Sequence, residues 1–238
     1  MLEKDIQEIL FSEEQLASRV NEIARQITQD YQGKEIVLIS VLRGSFVFMA
    51  DLCRRIDLPC TVDFMAVSSY GSGTSSTGQV QITKDLSSDI AGKHIIVVED
   101  ILDSGNTLSY LLKLLAQRKP ASIRLCTLLD KPERRTKPVE VHYSGFTIPD
   151  AFVVGYGLDY AEHYRNLPYI GILKPEVYGG RPIQAPEGPG WRTVSSAYPY
   201  TAGKEVSSLE AIQFPGCDTL SHAAPADDLC GQHGPADG

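Results

Sequence analysis

The chain has 238 residues, 42% hydrophobic and 22% charged, which is enough for one sizeable core with an appendage, so one catalytic domain is the default. A formal net charge of −8 argues against a broad nucleic-acid or membrane surface, and any anion site must be local. No apolar stretch reaches the roughly 18 residues of a membrane span, and the start MLEKDIQEIL lacks the basic and apolar regions of a signal peptide, so a cytoplasmic protein is expected. Cys53, Cys60, Cys126, Cys217 and Cys230 have no CxxC spacing and read as free thiols.

Ser12 with Gln15 forms a capping-box pattern, and Leu16, Val20, Ile23, Ala24 and Ile27 then mark one face of an amphipathic helix closed by Gly33. Residues 36–42 read as a buried strand, Arg43-Gly44-Ser45 as a turn, and 46–56 as a helix with Arg54 and Arg55 at its C-terminal end. The next strand, 62–69, leads into YGSGTSSTG at 70–78, too rich in Gly, Ser and Thr to pack a core. Val80 and Ile82 suggest a return strand, so the segment reads as a long hairpin-like flap. Strands recur at 95–99, 123–129, 151–155 and 169–173, and their alternation with helices implies a mainly parallel sheet covered on both faces.

The most informative run is VVEDILDSGNTL at 97–108. A β-branched strand ends in two carboxylates, and Leu108, Leu111, Leu112 and Leu115 then recur at helical spacing. The first N–H groups of a helix lack partners and sit at the positive end of its dipole, so such a junction is a site for a phosphate dianion. Gly105 lets the backbone approach, Ser104 and Thr107 add hydroxyl donors, and Glu99 and Asp100 suit Mg²⁺ or ribose hydroxyls. Asp103 faces the gap between them. Helix capping by Asp103 and Ser104 is the plainer alternative, but capping requires neither the acid pair nor the Gly-Asn-Thr that follows.

This pattern resembles the signature that binds 5-phosphoribosyl-1-diphosphate (PRPP) in type I phosphoribosyltransferases. From about Ile6 to Tyr178 the chain is similar to the hypoxanthine and hypoxanthine-guanine branch of that family. The resemblance implies an α/β fold with a mainly parallel sheet flanked by helices, a small hood and a mobile flap. It also implies Mg²⁺, PRPP and a purine base as partners, and a homodimer or homotetramer. Leu42-Arg43-Gly44 correspond to the family's pyrophosphate loop, with a cis peptide after the Leu, and Ser69-Tyr70 begin its mobile loop. The PRPP set is completed by Glu99, Asp100, Asp103, Ser104, Gly105, Asn106, Thr107 and Arg165. Lys131 corresponds to the lysine that bonds the purine O6, Phe152 to the ring that stacks on the base, and Val153 to backbone that reads its edge. Asp159 lies beside the base and corresponds to an acid that holds a second Mg²⁺, the first being held by Glu99 and Asp100. The resemblance makes Asp103 the catalytic acid-base group, acting at purine N7.

From Arg181 the character changes: residues 181–238 hold half of the 14 prolines and show no sustained period. They read as a disordered or non-native tail on a domain of residues 1–180. Cys217, His222, Cys230 and His233 match no zinc spacing. Two rivals stand beside the hypoxanthine enzyme: a transferase for xanthine or another base, and a nucleotide-sensing RNA-binding regulator on the same fold, which the overall acidity opposes.

Overall fold

The computed structural model describes residues 2–69 and 80–179. A short 3-10 turn at Leu2–Asp5 leads into β1 (Ile6–Phe11) and α1 (Glu13–Asp30). The chain continues through β2 (Ile36–Leu42), α2 (Phe46–Cys53), β3 (Cys60–Ser69), β4 (Val80–Lys84) and β5 (His94–Leu102). It ends with α3 (Asn106–Ala116), β6 (Ser122–Asp130), β7 (Tyr143–Thr147), β8 (Val153–Val154), β9 (Ile170–Leu173) and the short α4 (Pro175–Tyr178). Among the described residues no helix is long and apolar enough to cross a membrane.

Six strands form one sheet in the order β4-β3-β2-β5-β6-β7, parallel throughout except where β4 pairs antiparallel with β3. Side chains alternate across it. Ile36 and Leu38 of β2, with Ile96 and Val98 of β5, face the layer of α1 and α2. Val37, Ile39 and Val41, with Ile95 and Val97, face α3 and its Leu108, Leu111 and Leu115. A strand apolar on both faces must be covered on both, which is why these two read as uninterrupted hydrophobic runs. The helix face expected from the α1 spacing is buried in full, and Ser12 and Gln15 make both capping-box bonds.

A second sheet, β1-β9-β8, is antiparallel and carries its own small cluster around Val154, Tyr164, Leu167 and Leu173. It corresponds to the expected hood. Several boundaries differ from the sequence reading. The strand expected to stop at Glu99 runs on to Leu102, the helix expected to reach Ile56 stops at Cys53, and the strand expected over 151–155 keeps two residues. β1 and β7 were not expected at all. Tyr70, most of the flap and the tail lie outside the described residues.

The topology places a cleft. From β2 the chain crosses by α2 to β3 on one side, and from β5 it crosses by α3 to β6 on the other. Adjacent parallel strands whose crossovers leave in opposite directions open a crevice at their C-terminal ends. Those ends are Leu42-Arg43-Gly44 and the Glu99–Asp103 run.

Candidate active site

A cavity of about 270 Å³ lies at that switch point, lined by Leu42, Arg43, Gly44, Glu99, Asp100, Asp103, Ser104, Gly105 and Thr107 among others. A second, of about 640 Å³, shares Arg43, Gly44, Asp100 and Asp103 with it and extends to Lys131, Phe152, Val153, Asp159 and Arg165. Residues singled out in four separate stretches of sequence therefore line one pair of adjoining cavities; Asn106 lines neither of them. Ser69 ends β3, while Tyr70 is not described.

The floor is acidic. Both residues of the pair keep some exposed surface, but Glu99 Oε2 is shielded from solvent and has no hydrogen-bond partner. Burial, reinforced by neighbouring Asp100, raises the Glu99 carboxyl well above its ordinary range. Burial likewise pushes Asp100 up to about 6, against the opposing pull of the Ile101 N–H and the Arg165 charge. Asp100 lies against the loop after β2 so closely that a Cβ on Gly44 would overlap its carboxylate. That loop contains the cis peptide expected between Leu42 and Arg43. It is anchored by buried Ser45, whose hydroxyl donates to Val41 O at 2.6 Å and lies 2.7 Å from Ser40 Oγ.

The turn expected to hold phosphate takes shape at Gly105, which caps α3 with φ +81°. A side chain there would be strained by that φ and would also strike the Lys137 carbonyl. Neither Asp103 nor Ser104 serves as the N-cap residue, which frees the Asp103 carboxylate for other contacts. The Ser104 carbonyl accepts from the backbone N–H groups of Thr136 and Lys137, both at 3.0 Å, and from Thr136 Oγ1. Asn106 and Thr107 open the helix, whose first N–H groups have no helical partner; Thr107 lines the smaller cavity, while the Asn106 N–H donates to Ser104 Oγ at 3.4 Å.

On the other side of the cleft Lys131 is 7% exposed and donates to Ala151 O at 2.7 Å. Burial lowers its pKa, while the nearby Asp103 and Asp150 carboxylates oppose that shift. Phe152 stands in a cluster of rings, stacked on Tyr178 at 4.9 Å and edge-on to Tyr160 at 5.5 Å. Arg165 pairs with Asp159 at 2.8 Å and donates to Gly157 O at 2.8 Å.

Residues 7–161 match the phosphoribosyl transferase domain. Over 177 residues the sequence is 54% identical to hypoxanthine-guanine phosphoribosyltransferase of Staphylococcus aureus, covering 74% of this chain and 99% of that protein. The chain belongs to the phosphoribosyltransferase family. A crystal structure of a hypoxanthine phosphoribosyltransferase from S. aureus superposes with a TM-score of 0.72 at 54% identity, covering 74% of this chain and 96% of that one. At 52% identity the chain also matches the bifunctional protein TilS/HprT of Listeria monocytogenes, of which it spans 27%.

The phosphoribosyltransferase cleft has an oxygen-only donor set suited to Mg²⁺, which binds through one or two carboxylates and completes its shell with water and substrate phosphates. The unpartnered Glu99 Oε2 and the adjoining Asp100 fit that demand. Among the described residues no group of three or more His, Cys, Asp or Glu side chains converges on a metal position. A fully protein-made cage is thus not what this site offers.

Sequence reading missed Arg134, Asp150 and Glu162. Arg134 Nε donates to Asp103 at 3.0 Å and its Nη1 to Asp150 at 3.2 Å, while Asp150 lies 3.8 Å from Lys131. One ion-paired chain thereby joins the acid-base candidate to the base-side lysine. The available signal was the Pro-led, highly charged KPERR directly after a buried strand.

The acidic floor has a measurable consequence for this phosphoribosyltransferase. A carboxyl whose pKa is raised on folding lowers stability as pH climbs from its unfolded value, near 4, through its folded value, near 6 for Asp100. Asp100→Asn removes that penalty and keeps an oxygen for the Ile101 N–H, which Asp100 Oδ1 now accepts at 2.8 Å. Its Tm should exceed wild type above pH 6 and converge with it near pH 4, with a gain of about 3 kcal/mol at most. Melting curves across that range test it, and a gain that persists undiminished at pH 4 would rule out the buried charge as its cause.

Proposed function

We propose that the protein serves purine salvage by transferring the 5-phosphoribosyl group of PRPP to N9 of hypoxanthine, and also of guanine, giving IMP or GMP and pyrophosphate. One observation carries this: Asp103 lines both cavities, so a sugar phosphate held at the α3 turn and a base held near Lys131 would meet beside it. The partners are PRPP, a purine base, Mg²⁺ and further copies of the chain in a homodimer or homotetramer, in a cytoplasmic setting.

The chemistry is electrostatic. As the C1–O bond breaks, negative charge grows on pyrophosphate and positive charge on the ribose. Arg165 and the backbone N–H groups beside Arg43 stabilise the leaving group, and Glu99 and Asp100 orient the ribose hydroxyls. Glu99 and Asp100 would hold one Mg²⁺ and Asp159 would help hold a second, which would supply neutralisation of the phosphate charge. Ser104, Gly105, Asn106 and Thr107 hold the 5-phosphate. Lys131 donates to O6, Phe152 covers the base face, Val153 meets its edge, and Asp103 exchanges the N7 proton. Ser69 and Tyr70 begin the flap that excludes water from the oxocarbenium-like centre.

Incubating the protein with PRPP, Mg²⁺ and each purine base in turn, and following nucleotide formation, tests the assignment. Efficient use of xanthine alone would transfer it to the first rival.

The domain is taken to end near residue 180. Residues 1–179 contain every residue assigned a role and all the buried core described. A chain truncated after Gly179 should keep its Tm within about 2 °C and its kcat/KM within about twofold, since surface changes away from the core are typically worth no more than about 0.5 kcal/mol. A large loss in either would assign the tail a packing role.

A further inference from the structure

The segment after β8 bends sharply at residues that carry side chains. Tyr156, Ala161, Glu162 and Tyr164 have φ of 51°, 50°, 67° and 74°. L-residues rarely adopt this region, and such departures persist only where the surroundings over-determine them. Here Tyr160 and His163 exchange backbone bonds at 3.2 and 2.9 Å, Gly157 N–H bonds Arg165 O at 3.0 Å, and Tyr164 donates to Asp5 at 3.0 Å. The bend brings Glu162 to two arginines that line the larger cavity. Its Oε2 lies 2.9 Å from Arg43 Nη1 and 3.5 Å from Arg165 Nη2. One carboxylate oxygen thus joins guanidinium groups from two different loops, those following β2 and β8.

We propose that Glu162 is a stand-in for pyrophosphate: its carboxylate holds Arg43 and Arg165 together before substrate binds and releases them when the diphosphate of PRPP arrives. The proposal rests on the PRPP reading of the cleft. A guanidinium offers its forked donors equally well to a carboxylate or a phosphate, so the two anions compete for the same geometry. Asp159 already pairs with Arg165 at 2.8 Å, so Glu162 is the carboxylate that ties Arg43, at 2.9 Å, to that pair and offsets the repulsion between the two cations. Glu162 is 58% exposed and Arg43 68%, so solvent screens these pairs and a diphosphate carrying several charges displaces the carboxylate readily. The competition also weakens the grip on pyrophosphate as a product. Glu162 is therefore a positioning residue whose net effect, set by that competition, is to assist release.

The test uses the full-length chain with magnesium pyrophosphate as the probe. Its inhibition constant against PRPP and its Kd by calorimetry are measured for wild type, Glu162→Gln and Glu162→Gly. The Gln variant keeps the shape without the charge, and the Gly variant suits the left-handed backbone should Gln disturb the bend. Both should bind pyrophosphate on the order of fivefold more tightly, as expected for removal of screened competing pairs. The KM for PRPP should fall in parallel, and that for hypoxanthine should stay within about twofold, a split that general loosening of the fold would not produce. An unchanged or weaker pyrophosphate affinity in either folded variant overturns the proposal. If wild type makes nucleotide normally in that case, only the role of Glu162 is lost. A wild type that neither makes nucleotide nor binds pyrophosphate would instead remove the PRPP reading itself.

Discussion

Asp103→Asn is expected to lower kcat by roughly a hundred- to ten-thousand-fold, the usual range for loss of a positioned acid-base group. The effect should fall on chemistry and not on architecture. Asp103 accepts from Arg134 Nε at 3.0 Å, and an amide oxygen can still accept that bond. The backbone of the turn is held separately, through the Ser104 carbonyl and through Arg135, whose Nε donates to Asp103 O at 3.1 Å. What the amide cannot do is take and return the proton at N7. The KM for PRPP should therefore change only a few-fold while kcat and kcat/KM fall together, the pattern of an interaction made in the transition state. Single-turnover measurements with hypoxanthine separate the chemical step from product release. A kcat within tenfold of wild type would remove the acid-base assignment.

Adenine should be rejected by roughly ten-thousand-fold relative to hypoxanthine. Lys131 is the reason. An ammonium only donates, so it matches the O6 acceptor of hypoxanthine and guanine and opposes the 6-amino donor of adenine. At 7% exposure, with Ala151 O taking one of its protons at 2.7 Å, Lys131 has little water to turn to when a purine fills the cleft. Sites that read one polar group under such conditions discriminate by about four orders of magnitude or more. Guanine brings a 2-amino group that needs acceptors, and Val153, Leu158 and Asp159 line the cavity where it would lie. Hypoxanthine is therefore expected to be used best or equally with guanine. Comparing kcat/KM for adenine, hypoxanthine, guanine and xanthine in wild type and Lys131→Ala checks this. Efficient wild-type turnover of adenine would end the proposed role of Lys131.

Much of the fold and the cleft was legible in the sequence, because the site is built where chain-local signals are strongest. The β5–α3 junction couples a buried strand to an acid pair, a left-handed glycine and a leucine-spaced helix within about a dozen residues, and each element constrains the next. Elements with mixed surroundings were harder to read. β1 buries only Leu10 and Phe11 of its six residues, so IQEILF gives no alternation, and β7 carries Gly145 at its centre. Arg134 and Glu162 escaped for another reason: Arg134 meets Asp103 from 31 residues away, and Glu162, though three residues from Arg165, makes its shorter pair with Arg43 from 119 away, so a surface-type residue acquires its meaning only when folding supplies the partner.

The triple bond acceptance at the Ser104 carbonyl bears on attempts to redesign this enzyme. Thr136 and Lys137, which grip that carbonyl, belong to the same short connection that places Lys131 and Arg134 on the wall of the larger cavity, where the base is proposed to bind. The parts proposed to choose a nucleobase and the parts proposed to cradle a sugar phosphate are therefore not interchangeable modules. Remodelling the 131–137 connection to admit a new base will shift the phosphate turn with it. An altered specificity should come bundled with an altered appetite for the donor, and libraries that vary both regions at once will succeed where single-loop libraries stall.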